Sequence, residues 1–212
     1  MKIEVWSDYN CPFCYIGEVT LKNALEELEL TDKIEIVHRA YQLDPNAPKV
    51  STQTTADALS SKYNVSKHEA KKMMQNVVDR AALIGLRYDY DIVKPTNTYD
   101  AHRLAKMATE SNHLNELTIA LFNAYFTDGV NLADADSLVD LAVACGLNSI
   151  KVREMLNSND YTSSVNADIA EAKTLGIRGV PFFMIDRKIV INGAQPLETF
   201  VSTIKKAYAK QQ

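Results

Sequence analysis

The sequence predicts an α/β fold whose sheet is built from the two ends of the chain, with an all-helical segment inserted between them. Three observations carry that expectation. A strand, turn, helix and second strand follow one another before residue 48; two short strands and an amphipathic helix close the chain; helical periodicity fills the stretch from about residue 50 to about residue 175. The division this implies is 1–48 with 176–212 for the sheet-forming part and 49–175 for the insertion, whose last helix returns to the first part.

The first strand is apolar with one acid in it, Met1-Lys2-Ile3-Glu4-Val5, and runs through Trp6 into the turn Ser7-Asp8-Tyr9-Asn10. Pro12 suits the first helical position, where its fixed φ is already helical and its missing N–H is one the first turn leaves unpaired. In the helix that follows, Gly17, Leu21, Ala24, Leu25 and Leu28 share a stripe while Lys22, Glu26, Glu27 and Glu29 face away, so one face is buried on a sheet. Ile34 to Arg39 reads as a second strand, and Asp44-Pro45-Asn46-Ala47-Pro48 ends the regular pattern.

Within the insertion, one helical stripe is Met74, Val77, Val78 and Ala81, and another is Ala101, Leu104, Ala105 and Ala108. A third is Leu114, Leu117, Leu121, Ala124 and Tyr125, with Phe122 and Phe126 beside it, as in a helix covered on two sides. A fourth helix begins near Asp134 or Asp136 and stops at Gly146, carrying Leu138, Leu141, Ala142 and Cys145 on its apolar stripe. A helix over 148–157 and a longer one from Tyr161 to Leu175 follow. Phe182 to Ile185 and Lys188 to Ile191 then alternate as strands around an Asp186-Arg187 turn, and Leu197, Phe200, Val201 and Ile204 mark a last helix with Pro196 near its start.

Two of the three cysteines, Cys11 and Cys14, sit where the first helix begins. With Cys11 just outside the first turn and Cys14 three residues on, their sulfurs lie close enough to bridge, which makes a reversible dithiol. The unpaired N–H groups of the first turn and the positive end of the helix dipole face Cys11, which suits an anionic sulfur there. Cys14 lies deeper. Cys11 then attacks a substrate disulfide and Cys14 resolves the mixed disulfide. A zinc knuckle would need a second Cys or His pair at ligand spacing, and none is present; an inert disulfide is the other bland alternative.

Composition narrows the setting. A formal charge of −4 over 212 residues, with no basic cluster, argues against nucleic acid or an anionic membrane surface as partner. Nothing resembles the apolar core of a signal peptide, and no stretch is long enough to span a bilayer. The expectation is a soluble, cytoplasmic protein, and in that reducing compartment a dithiol is catalytic more often than structural.

Cys11-Pro12-Phe13-Cys14 after a strand, with Gly179-Val180-Pro181-Phe182 before a late strand, resembles the DsbA family of thioredoxin-fold oxidoreductases. The wider wording is similar to its FrnE-type branch of dithiol-disulfide oxidoreductases or isomerases: Ser7 to Gly17, Tyr41-Gln42-Leu43-Asp44-Pro45, Asn97-Thr98 with Ala101-His102-Arg103-Leu104, and Gly193-Ala194-Gln195. These matches span nearly the whole chain in order. They imply a thioredoxin fold interrupted by a helical domain. From its position alone Pro181 is a proline at the start of a strand. The resemblance implies more: a cis bond after Val180, a loop packed against the cysteines, and a Val180 backbone that pairs with extended substrate. It also implies a buried carboxylate six residues before Cys11, where this chain has Val5; Asp8 is the nearest substitute by sequence. Phe13 replaces the histidine of the strongly oxidising members, so a less oxidising couple is expected.

Trp6, Asp8, Phe13 and Tyr15 flank the dithiol. Asn97 or Thr98 reads as a helix cap and His102 as a contact between domains, with a sharper alternative in which Asn97 and His102 line a partly apolar cleft over Cys11. Cys145 reads as core, and His38, His68 and His113, without metal-ligand spacing, as structural. The function expected is thiol-disulfide exchange on a protein or small-molecule thiol or disulfide, with no metal or organic cofactor required and glutathione as a candidate electron partner. Two alternatives stand beside it: a glutathione-dependent isomerase or transferase on the same fold, and a holdase gripping unfolded chains.

Overall fold

The computed structural model describes residues 1–111 and 113–210. The elements run β1 (Lys2–Ser7), α1 (Pro12–Glu27), β2 (Glu35–Ala40), α2 (Thr55–Tyr63), α3 (Lys67–Ala82), α4 (Tyr99–Thr109), α5 (Leu114–Phe126), α6 (Ala135–Ala144), α7 (Ser149–Asn157), α8 (Thr162–Thr174), β3 (Phe182–Ile185), β4 (Ile189–Asn192) and α9 (Leu197–Ala209). Two compact units divide the chain, Met1–Leu43 with Ala167–Gln212 and Asp44–Asn166, so one of the two divisions falls inside α8.

The first unit holds a four-stranded sheet in the order β2-β1-β3-β4. β1 pairs parallel with β2, Ser7 opposite Ala40, and antiparallel with β3, Trp6 opposite Phe182; β3 and β4 are antiparallel. Because side chains alternate along a strand, the two faces of β1 have different company. Ile3 and Val5 join Leu21, Ala24 and Leu25 of α1, Phe183 and Ile185 of β3, Ile191 of β4, and Phe200, Ile204 and Ala207 of α9 in one buried cluster. Trp6 packs on the opposite face with Met184, with Ala172 of α8 and with Ile177.

The β3–β4 connection is one residue longer than the pattern suggests. Ile185 pairs with Ile189, leaving 186–188 as the loop, and Asp186 and Arg187 both take left-handed φ, 46° and 59°. Asp is among the residues that tolerate this conformation best. Its carboxylate accepts the Lys2 N–H at 2.8 Å and its own N–H donates to the Lys2 carbonyl at 2.9 Å, which fixes the hairpin against the start of β1.

The second unit is helical among its described residues. Four of its helix starts follow capping chemistry: Thr54, Ser66, Asp134 and Asn148 each accept a first-turn N–H, and Ser66 with Glu69 forms a reciprocal capping box. α2 has no stripe to announce it, since Ala56 is its one buried residue. α5 buries Leu117, Thr118, Leu121, Phe122, Ala124, Tyr125 and Phe126, and Phe126 stacks on Tyr88 with ring centroids 4.6 Å apart. Cys145 corrects an expectation. It is the C-cap of α6 and only half-buried, because the helix ends one residue short of placing it in the core.

Gly17 is where the fold is least tolerant near the sheet. A Cβ there would lie 2.9 Å from Pro181 Cγ and 3.0 Å from Phe183 Cζ. Gly17→Ala is expected to push α1 off the segment before β3 and to destabilise the protein by about 1–3 kcal/mol, read as a lower urea midpoint.

Candidate active site

The site is built where β1 ends and α1 begins. Asp8 closes the turn by taking the Cys11 N–H on its backbone carbonyl at 3.0 Å. Cys11 is the N-cap, in extended conformation, and Pro12 occupies the first helical position. No side chain caps this helix and no acid lies in its first turn, so the positive end of the helix is left facing the Cys11 side chain. The Cys14 N–H donates to the Cys11 carbonyl at 3.0 Å, which closes the first turn and places the second cysteine under the first. Both cysteines are buried and unbridged in this dithiol form.

The other wall comes from the far end of the chain. The Val180–Pro181 peptide bond is cis, and the Cys11 thiol donates to the Val180 carbonyl at 3.4 Å. The Gly193 N–H donates to the Pro181 carbonyl at 2.8 Å; Gly193 takes φ +78°, open to glycine and strained for most other residues. The two cysteines differ in their surroundings. Burial, then the hydrogen bond and charge of Cys11, push the Cys14 thiol well above its ordinary range, against smaller opposing hydrogen bonds from the Ser7 side chain and the Asp8 backbone.

The DSBA-like thioredoxin domain model matches residues 2–205. The chain belongs to the DsbA-like thioredoxin family. The probable DsbA oxidoreductase SCO1869 of Streptomyces coelicolor is 36% identical and superposes with a TM-score of 0.94, covering 100% of this chain and 92% of its own. YwbO of Bacillus subtilis (strain 168) is 26% identical over 211 residues, 99% of this chain and 98% of that protein. The cytosolic disulfide reductase DsbM of Pseudomonas aeruginosa, in its structure with GSH, shares the fold at 16% identity and a TM-score of 0.69, covering 99% of this chain and 100% of that one.

Against this DsbA-like frame, Trp6, Asp8, Tyr15 and Phe13 lie in the same unit as the dithiol. Asp8 is fully buried and its carboxylate accepts the Leu43 N–H at 2.7 Å, which ties the end of β2 to the turn. Phe13 is 36% exposed, an apolar ring beside Cys11. Burial raises the Tyr15 hydroxyl above its ordinary range. Asn97 and His102 lie in the other unit. The Asn97 side chain takes the Tyr99 N–H at 2.9 Å and gives to the Ala47 carbonyl at 3.1 Å, fastening the start of α4 to the 45–48 segment. His102 is buried with Ala101, Arg103, Leu104 and Ala105 on a helix covered nearly all round. Among the described residues no group of three or more His, Cys, Asp or Glu is placed to hold a metal ion.

Sequence reasoning missed a charged cluster on the α8 side of the sheet. Glu4 is 2% exposed, and its carboxylate takes Arg39 Nη2 at 2.5 Å and Arg187 Nη2 at 2.6 Å, with Arg187 Nε on its second oxygen. Arg39 also gives Nη1 to the buried Asp168 at 2.9 Å, and Asp168 Oδ2 takes the Ala40 N–H at 2.9 Å. The Trp6 indole N–H donates to the Asp168 carbonyl at 3.2 Å, and both guanidiniums lie within about 6 Å of its ring, in cation–π range. The signal available was an acid in the middle of β1 with a tryptophan two residues on and an arginine near the end of β2.

Two outcomes follow from these surroundings. Arg39 serves both buried carboxylates, whereas Arg187 is 43% exposed and its second partner, Glu171, is a third exposed. Arg39→Leu is therefore expected to cost about 3 kcal/mol in urea unfolding and Arg187→Leu about 1 kcal/mol. For Cys14, the unfolded chain releases the thiol proton near the ordinary value of 9.0 and the folded dithiol form holds it. Above that pH the folded state binds more protons, so stability falls as pH rises. Reduced protein is expected to lose up to about 1.4 kcal/mol per pH unit more than Cys14→Ala, in urea titrations at successive pH values above it.

Proposed function

We propose that the chain is a thiol-disulfide oxidoreductase of the FrnE type, working through Cys11-Pro12-Phe13-Cys14. The observation that carries the reading is the pairing of Cys11, at an uncapped helix start and 3.4 Å from the Val180 carbonyl, with Cys14, buried one turn below it. The Cys11 thiolate attacks one sulfur of a substrate disulfide and expels the other as a thiolate, which takes up a proton. Cys14 then gives up its proton and attacks the Cys11 sulfur, releasing the second substrate thiol and leaving a Cys11–Cys14 bridge. Two electrons pass from the dithiol to the substrate, and the reverse sequence oxidises a dithiol substrate.

Pro12 sets the helix start, Asp8 holds the turn, and Val180 with Pro181 forms the backbone ledge for an extended substrate, with Phe13 beside it. Trp6 and Tyr15 support the site from below. The chemistry needs no metal or organic cofactor, and glutathione serves as electron partner in the cytoplasm. That a cytosolic disulfide reductase described with GSH shares the fold agrees with this setting. A glutathione-dependent isomerase or transferase would need no resolving thiol, and the placement of Cys14 speaks against it.

The reading is tested by trapping. Cys14→Ser incubated with glutathione disulfide is expected to accumulate a stoichiometric glutathione adduct at Cys11 by mass spectrometry, and Cys11→Ser none. Wild-type protein that also stopped at the adduct, without an internal bridge, would favour the transferase reading. Refolding assistance retained in full by a Cys11→Ser, Cys14→Ser double variant would leave the holdase reading.

A further inference from the structure

Glu18 interrupts the apolar stripe that α1 turns to the sheet. It lies one helical turn after Cys14 and three residues before Leu21, and Cys14, Leu21 and Leu25 are all buried. At about 3.6 residues per turn these four positions share one face. The Glu18 side chain is only 13% exposed, and its partner is as well shielded: His38 Nε2 lies 3.0 Å from Glu18 Oε1, and the His38 side chain is 9% exposed. His38 belongs to the same layer by register. It stands opposite Val5 and alternates along β2 with Ile36, which packs with Val5, Leu21 and Leu25 in one cluster. The charged groups around the pair are engaged elsewhere. Lys22 of α1 is exposed and meets Glu26, while Arg39 of β2 serves Glu4 and Asp168 on the other face of the sheet. Of the remaining ionisable side chains, Tyr15 of α1 has its hydroxyl raised by burial, and Tyr208 of α9 is partly buried against the shared cluster.

A carboxylate and an imidazole withdrawn from water stabilise a fold weakly, and an apolar pair of the same volume packs there as well or better. What this pair adds is a group that can take up a proton one turn from Cys14. Cβ atoms four residues apart on a helix are about 5–6 Å apart, so a glutamate carboxylate reaches a cysteine sulfur directly or through one water. Burial holds the Cys14 proton in the dithiol form, and resolution requires its loss. We propose that Glu18, held by His38, takes the Cys14 proton as Cys14 attacks the mixed disulfide. The bond from Cys14 to Cys11 forms, the bond from Cys11 to the substrate sulfur breaks, and the electron pair leaves on the substrate thiolate. The proton passes from the Glu18–His38 pair to solvent. Glu18 is the acceptor, and His38, acting through it, is a positioning residue. The proposal rests on the dithiol reading above and supplies the proton acceptor for its second step.

The experiment follows both steps in one stopped-flow trace. Reduced protein in a Cys145→Ala background, which leaves the dithiol as the remaining cysteines, is mixed with one equivalent of dithiobis(nitrobenzoate). Its coloured thiolate is released once when Cys11 attacks and again when Cys14 does, so no further oxidant or reductant is needed. In Glu18→Gln, which keeps the size of the side chain and a hydrogen-bonding group for His38, the first phase is expected to stay within about twofold and the second to slow about a hundredfold at neutral pH, a usual contribution of a general base. The deficit closes as pH rises, because hydroxide then removes the Cys14 proton. His38→Gln, which keeps a donor for Glu18 but no titrating ring, slows the second phase alone and by less; should Glu18→Gln fail to fold, His38→Gln decides. An unchanged second phase, equal slowing of both phases, or a deficit constant with pH would overturn the proposal. Wild-type protein that released a single equivalent would instead defeat the dithiol reading itself.

Discussion

Cys11 and Val180 stand 169 residues apart in the chain, and their 3.4 Å approach depends on how closely α1 lies against the segment leading into β3. Gly17 sets that distance, since a single added carbon would meet Pro181 and Phe183 at about 3 Å. The rest is register. With Trp6 opposite Phe182 in an antiparallel pair, the residue before β3 falls level with the residue after Trp6, at the end of β1 where the chain turns toward Cys11. Gly193 holds the Pro181 carbonyl from the β4 side. The local chemistry of the cysteines is thus a property of sheet pairing as much as of the Cys-x-x-Cys segment.

β1 also separates two kinds of stabilisation. Ile3 and Val5 bury hydrocarbon between α1, α9 and the sheet, while Glu4 and Trp6 face guanidiniums and the buried Asp168. Buried carboxylates are tolerated only when paired and hydrogen-bonded, and here each has more than one donor. The acid that the family resemblance implies at Val5 is absent from that position; the residue opposite Val5 on β2, His38, instead meets the Glu18 carboxylate of α1 at 3.0 Å. The buried carboxylate of β1 lies one residue earlier, on the opposite face, where it joins β1, β2 and the β3–β4 hairpin.

How much of this was legible follows from where each feature is written. The thioredoxin fold with its inserted helices could be read because its periodicities and breakers are local, and the dithiol turn and the Pro181 loop each occupy a few consecutive residues. The Glu4 cluster was not legible, because its partners lie 35 and 183 residues away and Arg39 and Arg187 look like ordinary surface cations. Cys145 misled for a different reason: it keeps the spacing of the α6 stripe, yet the helix stops at Ala144 and the next side chain turns half outward. α2 was hidden by the weakness of its own burial. Periodicity reports the face of a helix, not where the helix ends.

The surroundings of Cys14 bear on how the proposed exchange proceeds without a carboxylate at Val5. A resolving thiol must lose its proton before it can attack, and burial alone opposes that loss. The next two opposing influences both come from Cys11, its hydrogen bond and its charge. Once Cys11 is tied up in a mixed disulfide it carries no charge, so both Cys11 effects that hold up Cys14 weaken at the moment resolution is needed. The Ser7 side chain and the Asp8 backbone, which favour the Cys14 thiolate, remain in place. In the proposed exchange, formation of the mixed disulfide would remove the Cys11 charge that disfavours a Cys14 thiolate, while burial continues to oppose it.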